Sequence, residues 1–134
     1  MATLNLEIVT PEGKIYSDEV EMVTLPGVEG ELGVFPQHVP LMTQIVAGEI
    51  AVRKGGKDEY LAVGEGFVEI TGARVAVMTD LAIRAENIDE AQAEQAKRRA
   101  EARLSEKLDD EEAAMVNAAL AHSLAQLKVK RRQR

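Results

Sequence analysis

Two groups in the first part of the chain could form an acid–base pair, the carboxylate of Glu31 and the imidazole of His38. Such a pair moves protons when both groups reach one substrate, but an exposed loop carboxylate and imidazole have the same spacing. The sequence has no serine nucleophile elbow, phosphate-binding glycine loop or dinucleotide fingerprint. The other histidine, His122, is remote in sequence, and no His, Asp or Glu cluster has metal-ligand spacing. The residues therefore predict no catalytic and no metal site.

Basic residues in the last third of the chain could meet an acidic partner or an anion. The tail carries five of them: Lys128, Lys130, Arg131, Arg132 and Arg134. Because cations complement the dipole at the carboxyl end of a helix, a solvated helix end explains this cluster as well as docking does. A second group, which includes two arginines, lies at steps of three or four residues on one face of the first predicted helix: Asp89, Gln92, Ala96, Arg99 and Arg103. That face is either an ordinary polar surface or an anion or nucleotide contact.

The elements that position these groups come from a chain of 134 residues, of which 46% are apolar. That is enough for one domain of about 100 residues or slightly fewer, plus an appendage. The absence of cysteine excludes disulfides and thiolate metal sites, and with no tryptophan a stacking platform for bases is disfavoured. Apolar runs are far shorter than the ~20 residues of a membrane-spanning helix, and the first residues lack signal-peptide features. We therefore expect a soluble protein on the cytosolic side.

Composition divides the chain near residue 86. All ten glycines and all four prolines lie at or before Gly72, whereas residues 86–134 contain eleven alanines. Because Gly and Pro favour turns and Ala favours helix, we expect β-structure in residues 1–86 and helix in residues 87–134. Residues 1–85 carry 13 acidic and 6 basic side chains, and residues 86–134 carry 10 of each. The net charge of −7 thus lies in the first part, which suits a basic partner and disfavours nucleic acid.

Alternation of apolar and polar residues predicts short strands in the first part. The clearest inward-facing sets are Leu4, Leu6 and Ile8, then Ile50 and Val52, then Val68 and Ile70, then Val75 and Val77. The segment KGGK at 54–57 predicts a hairpin. Glycines at positions 64 and 66 predict a second turn, and the glycine at position 72 predicts a third. This pattern is typical of an antiparallel β-sandwich, so the fold class is α+β. The segment 26–41, with three glycines and three prolines, is either ordinary turn structure or a rigid surface for docking a partner.

Two capping patterns predict an antiparallel helical hairpin after the sandwich. Asn87 followed by Glu90 starts a helix over Ile88 to about Lys107, and Asp109 followed by Glu112 starts a second one from about Asp110. The expected seam uses mostly small residues: Ala93, Ala96, Ala100, Leu104 and Leu108 on one helix, and Val116, Leu120, Leu124 and Leu127 on the other. Because alanine buries little area, we expect the hairpin to need docking on the sandwich or a partner and to be able to move.

Four motifs in order carry a resemblance that covers the whole chain. They are EGELGVFPQHVPL at 29–41, LEIVTP at 6–11, TDLAIRA at 79–85, and IDEA at 88–91 followed by AKRRAE at 96–101. Together these segments resemble the epsilon subunit of bacterial and chloroplast F-type ATP synthases. The resemblance implies a non-catalytic central-stalk subunit that links the gamma subunit to the membrane ring of c subunits.

The resemblance also implies partners for particular residues. Glu29, Gly30, Glu31 and His38 would contact the c-ring, and Leu41 and Met42 would face gamma. The hairpin would either fold against the sandwich or extend toward the catalytic alpha and beta subunits and restrain ATP hydrolysis. The residues that would meet the catalytic subunits are Arg98, Lys128, Lys130, Arg131, Arg132 and Arg134.

Some members of that family bind ATP through Ile/Leu-Asp-x-x-Arg-Ala and further arginines. Asp89, Arg99 and Arg103 match or are available, but the motif arginine is Gln92 in this sequence. A triphosphate would lose charge-assisted hydrogen bonds worth roughly 1.5–3 kcal/mol each, so we expect weak ATP binding or none and no other cofactor. The expected location is the cytoplasmic face of the bacterial plasma membrane, reached through the complex, rather than the thylakoid. The alternative is a free-standing two-part module for ligand binding or oligomerisation.

Overall fold

The computed structural model describes residues 2–133 and has ten strands followed by two helices. The strands are β1 (Leu4–Thr10), β2 (Gly13–Val20), β3 (Met22–Gly27), β4 (Gly30–Val34), β5 (Leu41–Ile45), β6 (Gly48–Lys54), β7 (Lys57–Val63), β8 (Gly66–Ile70), β9 (Arg74–Thr79) and β10 (Ala82–Arg84). The strand order in the sheet is β10-β7-β6-β3-β5-β8-β9-β1-β2, and β4 pairs with β3. The predicted fold class, a β-sandwich followed by a helical hairpin, is confirmed.

Strand pairing is antiparallel with one exception among the described strands. β1 lies parallel to β9, with Asn5 opposite Arg74 and Val9 opposite Met78, so the start and the end of the sandwich segment are joined directly. The predicted KGGK hairpin is confirmed: Lys54 faces Lys57, and Gly55 and Gly56 have φ of 60° and 76°. Positive φ at both central residues gives the two-residue turn whose twist matches the flanking strands.

The sandwich has its own apolar core. Its members alternate along the strands, as Leu4, Leu6 and Ile8 do on β1, and the last of them in sequence is Ala82. No helical residue of the described chain belongs to this cluster. The strands therefore do not depend on the helices to fill their interior.

Tyr16 is the aromatic residue of that core, and it gives a pH-dependent prediction. Its side chain is 3% exposed, its hydroxyl has no hydrogen-bond partner among the described residues, and the Arg84 guanidinium lies 4.9 Å from the ring centroid. Burial, reinforced by the nearby carboxylates of Glu59 and Asp18, raises the pKa of Tyr16 to about 12. Because the folded pKa exceeds the ordinary value of 10, this group stabilises the fold below pH 10 and loses that contribution between pH 10 and 12.

We expect Tyr16→Phe to flatten this alkaline loss of stability. A shift of two pKa units corresponds to about 3 kcal/mol, and the variant lacks the ionisable hydroxyl. At pH 7 it should be as stable as the wild type or about 1 kcal/mol more stable, since a buried unpaired hydroxyl is removed. Urea unfolding of both chains from pH 7 to 11.5 measures this. If the free energies of unfolding of the two chains change in parallel over the whole pH range, the ionisation of Tyr16 is not coupled to unfolding.

The first helix begins later than the sequence predicts. Asn87 lies in a short 3₁₀ turn, Ala85–Asn87, and α1 spans Glu90–Leu104 with Asp89 as its cap. The Asp89 carboxylate accepts a hydrogen bond from the Gln92 amide at 3.1 Å. The predicted cap at Asn87 and the predicted span from Ile88 to about Lys107 are therefore wrong at both ends. Ile88 is extended and buried in an apolar cluster, which prevents the helix from starting before it.

The second helix, α2 (Asp110–Gln133), starts where the sequence predicts. Asp109 accepts from the Glu112 amide at 2.7 Å, whereas the Glu112 carboxylate accepts from Arg103 of α1 rather than completing a capping box. The predicted seam is wrong at Leu124, which is 47% exposed, because Ser123 holds the buried position there. Neither helix of residues 2–133 is both long enough and apolar enough to cross a membrane.

Candidate functional site

The β3–β4 turn presents two of the predicted contact carboxylates. Gly27 faces Gly30 across the turn, and a side chain at Gly27 would place its Cβ 2.7 Å from the Gly30 carbonyl oxygen. Gly30 has φ of +124°, a conformation that residues with a Cβ rarely adopt. The two glycines thus fix a tight turn, and Glu29 and Glu31 are exposed on it.

His38 lies apart from that turn. Val28 of the turn donates to the Gln44 carbonyl near the end of β5, whereas the segment before β5 is held by Gln37, whose amide donates to Gly72 at 2.6 Å. Nδ1 of His38 lies 2.6 Å from the Val39 carbonyl oxygen. The described contacts therefore place Glu31 and His38, the predicted pair, near different ends of β5. The two ends of this strand lie roughly 13 Å apart, at about 3.3 Å per residue.

An outer apolar patch covers one face of the sandwich beside β5. We define it as Val28, Met42, Val46, Phe67 and Met78, all of them exposed. Phe67 pairs with Met78 across β8 and β9, and each is 49% exposed. A groove of about 370 Å³ runs beside Val28, Val46 and Phe67. Met42 lies opposite Glu69 and Phe67 lies opposite Gln44, so polar side chains separate members of the patch across β5 and β8. Several exposed large apolar side chains on one face are typical of a surface that another protein covers.

Met42 of this patch is among the residues predicted from the sequence, whereas Phe67 and Met78 are not. Both stand next to buried valines, Val68 and Val77, and so occupy outward positions of their strands. A large apolar residue at an outward position is the signal that could have identified them. Leu41 points to the opposite side of β5 from Met42, so the two predicted gamma-facing residues do not share one surface.

The hairpin packs on the outside of the sheet through a second, separate apolar cluster. We call it the apolar docking cluster, and its members are Ala62, Ala85, Ile88, Ala125 and Val129. Ala62 belongs to β7, and Ala125 and Val129 belong to α2. Three of the five are alanines, and the partly buried Tyr60 and Ile83 pack against them. The structure thus shows the hairpin docked on the sandwich through apolar packing that is separate from the sandwich core.

Ionic contacts of the last turn of α2 surround this cluster. Arg132 donates through Nε to the Glu49 carboxylate at 2.8 Å and lies 5.3 Å from the centroid of the Tyr60 ring. The hydrogen bond and charge of Glu49 raise the pKa of the Arg132 guanidinium. The Glu49 side chain is only 10% exposed. This carboxylate is therefore largely withdrawn from water and bound by a fixed cation.

Arg131 and Lys130 extend these contacts to α1 and the 3₁₀ turn. Arg131 lies 3.0 Å from the Glu94 carboxylate and 3.5 Å from that of Glu90. Lys130 Nζ donates to the Ala85 carbonyl at 3.3 Å. Three of the basic tail residues predicted to meet a partner are therefore bound to groups of this same chain. Arg134 lies outside the described residues.

The remaining predicted cations are distributed along the hairpin. Lys128 is exposed and lines a groove of about 320 Å³ together with Glu31, Glu49 and Arg132. Glu31, which is predicted to contact the c-ring, thus lies at the same groove as Lys128 and Arg132, which are predicted to contact the catalytic subunits. Arg98 pairs with Glu94 at 3.7 Å on α1.

The predicted nucleotide residues have structural contacts of their own. Asp89 caps α1, and Ile88 and Ala93 beside it are buried. Arg103 pairs with Glu106 at 2.7 Å and Glu112 at 3.1 Å near the hairpin turn, and Arg99 is exposed on α1. Packing and capping therefore account for the isoleucine, aspartate and alanine of the motif without a nucleotide.

A further polar contact joins α2 to the sandwich where the chain leaves β9. His122 Nε2 lies 3.4 Å from Asp80 Oδ2, directly above Gly64. A Cβ at Gly64 would lie 2.7 Å from His122 Nε2 and would also overlap the Asp80 carboxylate. The missing side chain at residue 64 thus allows the helix to approach the sheet. Among residues 2–133, no group of three or more His, Asp or Glu residues could hold a metal ion.

Comparison with known protein families matches both parts of the chain. Residues 3–85 match the beta-sandwich domain of the ATP synthase delta/epsilon chain, and residues 86–131 match its long alpha-helix domain. The ATP synthase epsilon chain of Laribacter hongkongensis is 44% identical over 130 residues, covering 96% of this chain and 93% of the relative. The epsilon chain of Dehalococcoides mccartyi strain BAV1 is 44% identical over 135 residues, covering 100% and 96%.

Solved structures show the same architecture. A chain in the cryo-EM structure of the Euglena gracilis mitochondrial ATP synthase that includes the c-ring superposes with a TM-score of 0.80 at 25% identity. That match covers 96% of this chain and 81% of the other. A chain of the Tetrahymena thermophila mitochondrial ATP synthase central stalk and c-ring gives a TM-score of 0.65 at 12% identity, over 95% and 96% of the two chains, and shares the fold alone.

Proposed function

Because this chain belongs to the delta/epsilon chain family of ATP synthase, we propose that it is a non-catalytic rotor subunit linking gamma to the c-ring. The observation that carries this proposal is the combination of an acidic glycine turn with an outer apolar patch on a self-contained sandwich. The turn offers Glu29 and Glu31 to a basic or polar surface. The patch offers Phe67 and Met78 to a partner that buries apolar area.

The gamma subunit is the proposed occupant of the outer apolar patch, and the c-ring that of the β3–β4 turn with His38. Met42 belongs to the gamma contact, whereas Leu41, on the opposite side of β5, lies outside the outer apolar patch. Large apolar residues at the centre of such a contact contribute most of the binding free energy. We place the assembled complex at the cytoplasmic face of the bacterial plasma membrane, where this chain is held by its partners.

The hairpin is the proposed regulatory part, with residues 1–86 and 87–134 as the two functional units. In the docked state seen here it is kept from the catalytic alpha and beta subunits. In an extended state its basic end, from Lys128 to Arg134 and with Arg98, would meet their acidic surface and restrain ATP hydrolysis. The separation of the apolar docking cluster from the sandwich core supports this proposal, because release of the hairpin leaves that core intact.

ATP is not required for the docked hairpin in this proposal. Asp89 already caps α1, Gln92 replaces the motif arginine, and Arg103 is paired with two carboxylates. A nucleotide would have to displace these contacts and would gain few charge-assisted hydrogen bonds in return. We expect no ATP binding by the isolated chain at micromolar concentration.

Co-expression with gamma tests the rotor assignment. We expect a stable one-to-one complex, and we expect Phe67→Arg to weaken it by at least about 30-fold in Kd, since a central contact residue is worth about 2 kcal/mol or more. Met115→Arg is the matched control, because Met115 is a similarly exposed apolar residue on α2 outside the patch. Analytical ultracentrifugation and titration calorimetry measure both. If the chain does not bind gamma and remains monomeric, the result would instead support the free-standing binding or oligomerisation module.

A further inference from the structure

The last turn of α2 places its two arginines against three carboxylates from two other elements. Arg132 binds Glu49 of β6, while Arg131 contacts Glu90 and Glu94 of α1. One arginine therefore fastens the hairpin to the sandwich, and the next one fastens the two helices to each other.

The Glu49 contact is the more enclosed of the two. Its carboxylate is 10% exposed, Arg132 binds it at 2.8 Å, and the same guanidinium lies over Tyr60. A planar guanidinium that both hydrogen-bonds a carboxylate and stacks on a ring is poorly replaced by another cation. A carboxylate that is largely buried away from water raises the free energy of the folded state when its cation is removed. Arg132 therefore stabilises the docked hairpin more than the cation of an exposed ion pair would.

The apolar part of the docking contact consists largely of small residues. Ala62, Ala85 and Ala125 are three of its five buried members, Val129 and Ile88 are larger, and the partly buried Tyr60 and Ile83 pack against them. The position of the hairpin should therefore respond to the loss of one arginine–carboxylate pair. It should respond equally to an acidic surface that offers the same arginine new carboxylates.

We propose that Arg131 and Arg132 form a shared ionic contact, in which Arg132 holds the hairpin docked through Glu49 and Arg131 holds its two helices together through Glu90 and Glu94, and that an acidic protein surface must take over this contact to hold the hairpin extended. Docking and partner binding then exclude each other because they use the same guanidinium groups. An acidic partner shifts the hairpin only by the difference between its own carboxylates and these internal ones. This inference rests on the proposed function, in which the basic end of α2 meets such a surface.

Glu49→Gln tests the internal half of the exchange in the isolated full-length chain. The glutamine keeps the shape of the side chain but removes the charge that binds Arg132. We expect amide hydrogen exchange over residues 125–132 to accelerate about tenfold, equivalent to the loss of about 1.4 kcal/mol. Exchange in the strands of the sandwich core should be unchanged. Glu12→Gln, an exposed carboxylate in the β1–β2 turn, is the matched control and should exchange like the wild type.

The assembled ATP synthase tests the external half. Glu49→Gln should slow ATP hydrolysis below the wild-type rate, because more hairpins are released while their arginines stay intact. Arg132→Gln should also accelerate exchange over residues 125–132 but should slow hydrolysis less than Glu49→Gln does, since it removes a guanidinium group that the partner would bind. Different effects on hydrolysis of two variants that both release the hairpin are what a merely structural salt bridge cannot produce.

Two results would overturn the shared contact. If Glu49→Gln leaves exchange over residues 125–132 unchanged, Glu49 does not hold the hairpin, and the rotor function stands without this device. If both variants accelerate exchange but affect hydrolysis identically, Arg132 is not shared with the partner. Removal of residues 87–134 separates these failures from failure of the proposed function, because a regulatory hairpin alters hydrolysis on removal whichever residues hold it.

Discussion

Aspartate in place of Val129 is expected to release the hairpin from the sheet while leaving the β-sandwich folded. Val129 is fully buried in the apolar docking cluster and belongs to α2, whereas the sandwich core ends at Ala82. The substitution removes about 1.5–3 kcal/mol of apolar burial and places a carboxylate where water is excluded. Docking should weaken by about 3 kcal/mol or more, so the open population should rise at least 100-fold.

Two measurements on the isolated chain check this release. Hydrogen exchange over α2 should approach that of an unprotected helix, while the thermal midpoint of the strands, followed by circular dichroism, stays at the wild-type value. Leu124→Asp is the control, because Leu124 is 47% exposed on the same helix and should leave docking intact. A sandwich that melts earlier in Val129→Asp would show that the two apolar clusters act as one core.

Removal of residues 87–134 is expected to raise ATP hydrolysis by the assembled complex. The proposed restraint acts only in complexes whose hairpin is extended, so the gain depends on that population. Removal doubles the rate if half of the hairpins are extended, and raises it about tenfold if nine in ten are. Steady-state ATPase assays on complexes with the full and the shortened chain measure the ratio.

The shortened chain must remain assembled for this comparison to hold. We expect residues 1–86 to fold alone, since no helical residue of the described chain lies in the sandwich core. Gel filtration should show gamma bound equally to both forms, and proton-driven ATP synthesis should persist. Equal hydrolysis rates with gamma still bound would contradict a regulatory role for the hairpin and would leave it a structural appendage.

Much of the fold follows from local sequence. Alternation places Leu4, Leu6 and Ile8 inward, the KGGK segment makes its two-residue turn, and Asp109 caps α2 as predicted. The errors arise where tertiary packing decides between local choices. Asn87 and Asp89 are both good caps, and the burial of Ile88 between them selects Asp89. Which helix residues are buried likewise depends on two neighbours at once, the other helix and the sheet.

The candidate surfaces were harder to predict because they join residues that are remote in sequence. Nothing local to Glu49 or Arg132 indicates that they meet across 83 residues. The outer apolar patch needs the register of β8 against β9, which brings Phe67 opposite Met78. Helix-end cations could be identified from sequence, but their carboxylate partners could not.

The parallel pairing of β1 with β9 has a consequence for biosynthesis. Asn5 lies opposite Glu19 of the adjacent β2 on one side and opposite Arg74 of β9 on the other, so the first strand stays without its second neighbour until most of the domain has emerged from the ribosome. Distant pairings of this kind are formed slowly, and the strand edge that awaits them is a site for aggregation. The helices are synthesised after the strands and dock on a sheet that has already formed. The nascent chain therefore folds its β-sandwich before its hairpin.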